Sequence, residues 1–90
     1  MARPRKKRRV SFSPSVAVFA PAGQPAHFSD LVELTREEAE AVRLKNLLGL
    51  AQTEAAIKMK TSQSTFQRIL TSAYQKLAQG IIYGRGIRIR

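Results

Sequence analysis

The chain has 90 residues, with 16 Lys plus Arg against 6 Asp plus Glu, no Cys and no Trp, for a formal charge of +10 at pH 7. That length makes one small domain with tails, whose core supplies on the order of 3–5 kcal/mol unless a staple or partner adds to it. The missing cysteines exclude disulfides, thiol catalysis and thiolate metal ligands, and one histidine, His27, cannot make a histidine metal site. The longest unbroken apolar stretch, Val16 to Ala20, is far below the ~20 residues that cross a bilayer, so no membrane span is expected.

Residues 1–27 hold all four prolines and the densest charge, in Arg3, Arg5, Lys6, Lys7, Arg8 and Arg9. They read as a basic arm. Such an arm suits a polyanion, because each phosphate it neutralises releases condensed counterions. A secretory or organellar address label fits poorly, since Ser11, Ser13, Pro14 and Ser15 break the apolar run and the opening charges are too many. Alternation of Val10 with Phe12 and of Val16 with Val18 permits short strands. Ile87 and Ile89 alternate with Arg88 and Arg90 in the same way, and Gly84 and Gly86 allow the bend by which the two segments can pair into a small ribbon.

Between Thr35 and Gly80 the signals are helical. Thr35 followed by Glu38 is a capping box, and the acids Glu37, Glu38 and Glu40 precede the bases Arg43 and Lys45, as the helix dipole favours. Ala41, Leu44 and Leu48 form an apolar stripe that Leu47 widens, and Gly49 offers a stop. A shorter second helix is expected from about Gln52 to Met59, with Ala55, Ala56 and Met59 on one face and Ile57 on the other. Ser62 caps a third helix to about Ala78, whose stripe is Phe66, Ile69, Leu70, Ala73, Tyr74 and Leu77. Its opposite face carries Ser64, Gln67, Arg68, Thr71, Ser72 and Gln75. Gln, Ser, Thr and Arg in that position suit hydrogen bonding to base edges and phosphates better than ordinary solvation, which favours Lys and Glu.

A short helix, a three-residue link Lys60-Thr61-Ser62 and a longer helix with a polar outer face have the proportions of a helix-turn-helix. The run from Leu34 to Leu44, then Gly49-Leu50, Glu54-Ala55-Ala56, Ser62-Gln63-Ser64-Thr65-Phe66 and Arg68-Ile69-Leu70, resembles region four of sigma-70-type transcription factors. More closely, the whole chain resembles a group of small prokaryotic proteins that share this helix-turn-helix. Arg3-Pro4-Arg5, Arg8-Arg9-Val10 and Phe19-Ala20-Pro21-Ala22-Gly23 match that group's arm, and Gly84-Arg85-Gly86-Ile87-Arg88-Ile89 its tail. The resemblance implies that Gln63, Ser64, Gln67 and Arg68 enter the major groove and that Thr53 and Ser62 touch phosphate. It also implies a Gly where this link has Lys60, and a Ser where the second helix has Ala51.

The expected fold is therefore all-α: a three-helix helix-turn-helix domain over 28–80, a basic arm over 1–27 and a basic tail over 81–90, the two ends able to form short strands. The expected function is sequence-specific binding of double-stranded DNA by a transcription regulator. Gln63, Ser64, Gln67, Arg68, Thr71, Thr53 and Ser62 make its contacts, and Arg3, Arg5, Lys6, Lys7, Arg8 and Arg9 lie on the backbone or minor groove. A homodimer is expected, since a lone helix-turn-helix of this size usually doubles to read two half-sites, in the cytoplasm and with the nucleoid. RNA or a ribosome, and RNA polymerase, are the alternative partners. No cofactor, metal or enzymatic activity is expected, because one His and no Cys leave no nucleophile and base to assemble.

Overall fold

The computed structural model describes residues 9–10, 17–23 and 30–90. In chain order these form strands β1 (Val18–Phe19) and β2 (Val32–Leu34), helix α1 (Arg36–Val42) continued by a π-helical turn (Arg43–Leu47), helices α2 (Gln52–Lys58) and α3 (Gln63–Ile82), and strand β3 (Ile87–Ile89). The expected Val10–Phe12 alternation, Val16 and His27 fall partly or wholly outside the described residues.

Three helices are present, but the chain is not all-α. A three-stranded sheet of order β1-β3-β2 packs beside them. The ribbon between the two ends forms as antiparallel pairs Val18↔Arg88 and Phe19↔Ile87. The third strand was not expected: β2 runs parallel to β3, with Val32↔Ile87, Glu33↔Arg88 and Leu34↔Ile89. Its period-two pattern is only three residues long, Val32 and Leu34 buried around exposed Glu33, and the helix cap comes immediately after. The N–H of Val32 donates to Gly86 O at 3.0 Å and that of Arg90 to Leu34 O at 2.9 Å, so the ladder supplies backbone partners at both ends of β2.

Thr35 and Glu38 form the expected capping box, the Thr35 hydroxyl accepting from the Glu38 N–H at 3.1 Å and the Glu38 carboxylate from the Thr35 N–H at 2.8 Å. The first helix then widens. The Leu48 N–H donates five residues back to Arg43 O at 2.9 Å, and the extra residue in this turn rotates the end of the helix out of phase with the stripe. Leu44 remains buried, whereas Leu47 and Leu48, both expected on the apolar side, are exposed.

Ala55, Ala56 and Met59 face the core as expected. After Met59 the chain turns through Lys60 at φ 54°, left-handed backbone that a side chain disfavours. Two bonds hold it there, Lys60 N–H to Ile57 O and Thr61 N–H to Ala56 O, both 3.0 Å. That pair is the Schellman closure that usually employs glycine. Ser62 then caps α3, its hydroxyl accepting from the Thr65 N–H at 3.1 Å.

Helix α3 runs to Ile82, a turn beyond the expected end at Ala78 and straight through Gly80. Here glycine is an access point for β3 and no stop. A Cβ at Gly80 would lie 2.5 Å from Ile87 Cγ1 and 2.9 Å from Gly86 O, so only a bare helix surface admits the strand. The reversal comes later, at Gly84 (φ 64°) and Gly86 (φ 84°).

The core has two parts. The first half of α3 packs Phe66 and Leu70 against Ala41 and Leu44 of the first helix and Ala55, Ala56 and Met59. The second half packs Ala73, with Leu77 at the edge, against Leu34, Ala39 and Ile87, and Val42 touches both clusters. Phe66, Leu44 and Met59 are essentially inaccessible, each burial contributing about 1.5–3 kcal/mol. Tyr74, expected in the stripe, sits at its edge and donates its hydroxyl to Asn46 Oδ1 at 2.6 Å.

Glu38 joins α1 to α3. Beyond its cap, it accepts from Lys76 Nζ at 2.8 Å and from the Ser72 hydroxyl, so Ser72, expected on the outer face, is turned inward. Burial raises the Glu38 pKa, but the hydrogen bonds from Lys76, Ser72 and the Thr35 N–H outweigh it and hold the carboxyl below its ordinary 4.5.

Two outcomes are expected. Lys60→Gly relieves the left-handed strain and should stabilise the fold by about 1 kcal/mol, raising the thermal midpoint by ~4–8 °C. Because the folded-state pKa of Glu38 is depressed, its contribution is complete above about pH 4.5 and is lost as pH falls through the lower folded value. The gap in thermal midpoint between the parent and Glu38→Gln should therefore be widest near neutrality and close in acid; an equal gap at both pH values would remove the ionised carboxylate from the account.

Candidate nucleic-acid interface

The first three turns of α3 point one uninterrupted polar face at solvent. Gln63, Ser64, Gln67, Arg68 and Thr71 are all exposed, as is Gln75 beyond them. The packing of Phe66, Leu70 and Ala73 on the opposite side directs this face outward, since a helix rotates about 100° per residue, and the Glu38 bonds to Ser72 and Lys76 fix the rotation. Ser62, at the helix start, is exposed and committed to capping. Its hydroxyl serves the Thr65 N–H and donates to Thr65 Oγ1 at 2.9 Å.

Gln67 is not a free side chain. Its amide oxygen accepts from Gln52 Nε2, and its own Nε2 donates to Thr71 Oγ1 at 3.2 Å. A relay Gln52–Gln67–Thr71 thus crosses from the first residue of α2 to the middle of α3. Thr53, the expected phosphate contact, is exposed beside Gln52 at that same helix start. Gln52 joins the candidate face and is missed by sequence reasoning, because nothing in a single chain links two glutamines fifteen positions apart; only the packing of α2 across α3 brings them together.

Arg68 lies on the other flank of the face, over a shallow pocket lined by Thr35, Glu37, Glu38, Ile69 and Ser72. The Glu38 carboxylate beneath is already engaged by Lys76. The first turn of α3 contains no acid, in contrast to Glu37 and Glu38 in α1 and Glu54 in α2. Its unpaired N–H groups and helix dipole therefore present an uncompensated partial positive charge, favourable to an anion.

Of the basic arm, Arg9 is described. Its N–H donates to Met59 O at 3.3 Å, which holds Arg9 beside the turn between α2 and α3. There its side chain shares a shallow pocket with Arg43, Lys58, Leu44 and Leu48. Arg43 is bound through Nε to Glu40 at 2.6 Å and through a second nitrogen at 3.2 Å, a fork that anchors a carboxylate buried under it and raises the Arg43 pKa further. Arg3, Arg5, Lys6, Lys7 and Arg8 lie outside the described residues. The cations missed by sequence reasoning are Lys58 and Lys60, which flank the same turn; their position becomes evident only with the turn's geometry.

Among the described residues, no group of three or more His, Cys, Asp or Glu is placed to hold a metal ion, and no helix is long and apolar enough to cross a membrane.

The family model described as "Protein of unknown function DUF134" matches residues 1–90. A UPF0251 protein of Halothermothrix orenii is 51% identical over 88 residues, covering 98% of this chain and 65% of the relative. A UPF0251 protein of Dehalococcoides mccartyi is 49% identical over 89 residues, covering 99% of the chain and 76% of the relative. One from Desulforudis audaxviator is 51% identical over 89 residues, covering 99% and 58%. The chain is thus shorter than each of these relatives. No solved structure matches it. Matched along its full length by the family model and sharing about half its residues with these proteins, the chain belongs to the DUF134 (UPF0251) family of small prokaryotic proteins.

Proposed function

We propose that the chain is a sequence-specific DNA-binding protein and transcription regulator, in which α2 and α3 form a sigma-region-four-like helix-turn-helix. Helix α3 enters the major groove, Thr53 and Ser62 meet phosphate, and the basic arm lies along the backbone or minor groove. The protein acts as a homodimer, in the cytoplasm with the nucleoid, and is a binding protein with no enzymatic role.

One observation carries this reading: the exposed face of Gln63, Ser64, Gln67, Arg68 and Thr71, polar throughout, on a helix that packs Phe66, Leu70 and Ala73 into the core on its other side. Gln and Arg both present paired hydrogen-bonding groups that match base edges. The relay from Gln52 holds Gln67 before any ligand arrives, lowering the conformational cost of using it. Arg9 lies beside the turn that leads into α3, where a cation adds sequence-independent affinity.

Selection from a random duplex pool at physiological salt, run on the full chain, should return a defined motif. Gln67→Ala and Arg68→Ala should each blur it at different base positions, with a loss of about 1–3 kcal/mol of discrimination per position. Gln52→Ala should blur the Gln67 position alone. Removing residues 1–9 should weaken all sequences alike and flatten the salt dependence, which for ~6 phosphates amounts to roughly a thousandfold loss between low and moderate salt. Strong salt-sensitive binding that yields no motif and ignores Gln67→Ala and Arg68→Ala would sink the reading, and direct attention to structured RNA or RNA polymerase.

A further inference from the structure

The end of the first helix and the end of α2 enclose a pocket of about 220 Å³, lined by Arg9, Arg43, Leu44, Leu48 and Lys58. Three of these side chains are cations, and among the described residues no acid lines the pocket. The Glu40 carboxylate beneath is engaged by Arg43, and Glu54, one turn before Lys58 on α2, stays outside. Among the described residues neither Arg9 nor Lys58 pairs with a carboxylate, so the pocket keeps a net positive charge.

The π-helical turn supplies its apolar part. In an unbroken α-helix Leu48 would stand one turn from Leu44 on the core side. The bond from the Leu48 N–H to Arg43 O rotates it outward instead, to 51% exposure against 1% for Leu44. Leu47, next to it in the chain, is 77% exposed.

We propose that this pocket docks an acidic segment of a partner protein, one large apolar side chain resting on Leu48 and Leu44 while neighbouring carboxylates meet Arg9 and Lys58. Charge complementarity sets the sign of the occupant, and the apolar lining sets its class. A nucleic-acid backbone would use the cations and leave Leu48 in water, whereas an acidic peptide with a leucine or phenylalanine uses both. Size agrees. At about 220 Å³ the pocket falls short of the ~300 Å³ at which small-molecule sites begin, so it receives one side chain of a longer segment. A second copy of this chain is disfavoured by its own charge of +10.

The pocket stands apart from the face assigned to DNA. No residue of α3 lines it, and Lys58 lies about 140° around α2 from Thr53 at ~100° per residue. The proposal therefore does not rest on the DNA-binding reading.

Selection of a random displayed peptide library on the immobilised full chain, at physiological salt, tests the pocket. Enriched peptides should carry two or more carboxylates around a large apolar residue. Fluorescence anisotropy with a selected peptide should then show affinity falling about tenfold or more on Lys58→Glu and severalfold on Leu48→Asn, both at exposed positions and both with the helical circular dichroism of the parent. Arg85→Glu, the same change of charge beyond the far end of α3, should leave the peptide's affinity within about twofold. Enrichment without acids, equal loss on Arg85→Glu, or undiminished binding of a peptide whose apolar residue is replaced by Ala would each overturn the proposal. So would a DNA duplex that loses as much affinity as the peptide on Leu48→Asn, because the pocket would then belong to a nucleic-acid surface. A peptide dispersed by Lys58→Glu and Leu48→Asn upholds the pocket even where duplex selection finds no motif.

Discussion

The orientation of α3 depends on one carboxylate. Glu38 caps the start of α1, accepts a hydrogen bond from Ser72 and pairs with Lys76, so it fixes the helix rotationally at two points a turn apart. Hydrophobic packing alone is permissive about rotation, since Phe66, Leu70 and Ala73 present a broad apolar arc. Directional bonds are not. With Ser72 and Lys76 drawn toward α1, the residues left facing outward are Gln67, Arg68 and Thr71, and that choice sets the character of the exposed surface.

Helix α3 is also the member that unites the two cores. Its first half completes a helical cluster and its second half carries a sheet, with Val42 bridging the two. A continuous helix of 20 residues gives the polar reading segment of the outer face a rigid frame. The bare surface at Gly80 makes this double duty possible, because a side chain there would push β3 away and take the centre out of the sheet.

Features governed by neighbours in the chain were legible in the sequence. The Thr35–Glu38 box, the Ser62 cap and the face of α2 arise from local chemistry, and the strands at Val18 and Ile87 from simple alternation. Those decided by distant contacts were not. Val32–Leu34 is too short to announce itself beside a helix cap and becomes a strand because β3 offers it a ladder. Gly80 carries the local signature of a stop and is overruled by packing against Ile87. The π-helical turn adds a residue that no periodicity anticipates, which displaces Leu47 and Leu48 from the core. In the candidate interface, individual side chains such as Gln67 and Arg68 could be picked out by spacing, whereas the brace from Gln52 needed the fold.

The sheet order has a consequence for how the chain is made. The central strand is β3, so neither Val32 nor Val18 has a partner until the segment from Ile87 to Ile89 exists. At ~5–20 residues per second, a ribosome needs ~3–11 s to travel from Val32 to Ile87. By the time Ile87 is added every residue of the helical cluster around Phe66 has been made, while β2 has still had no strand to pair with. Synthesis therefore makes the sheet the last part whose residues are all present, a clasp that can close over the far end of α3 only when the final segment has been added.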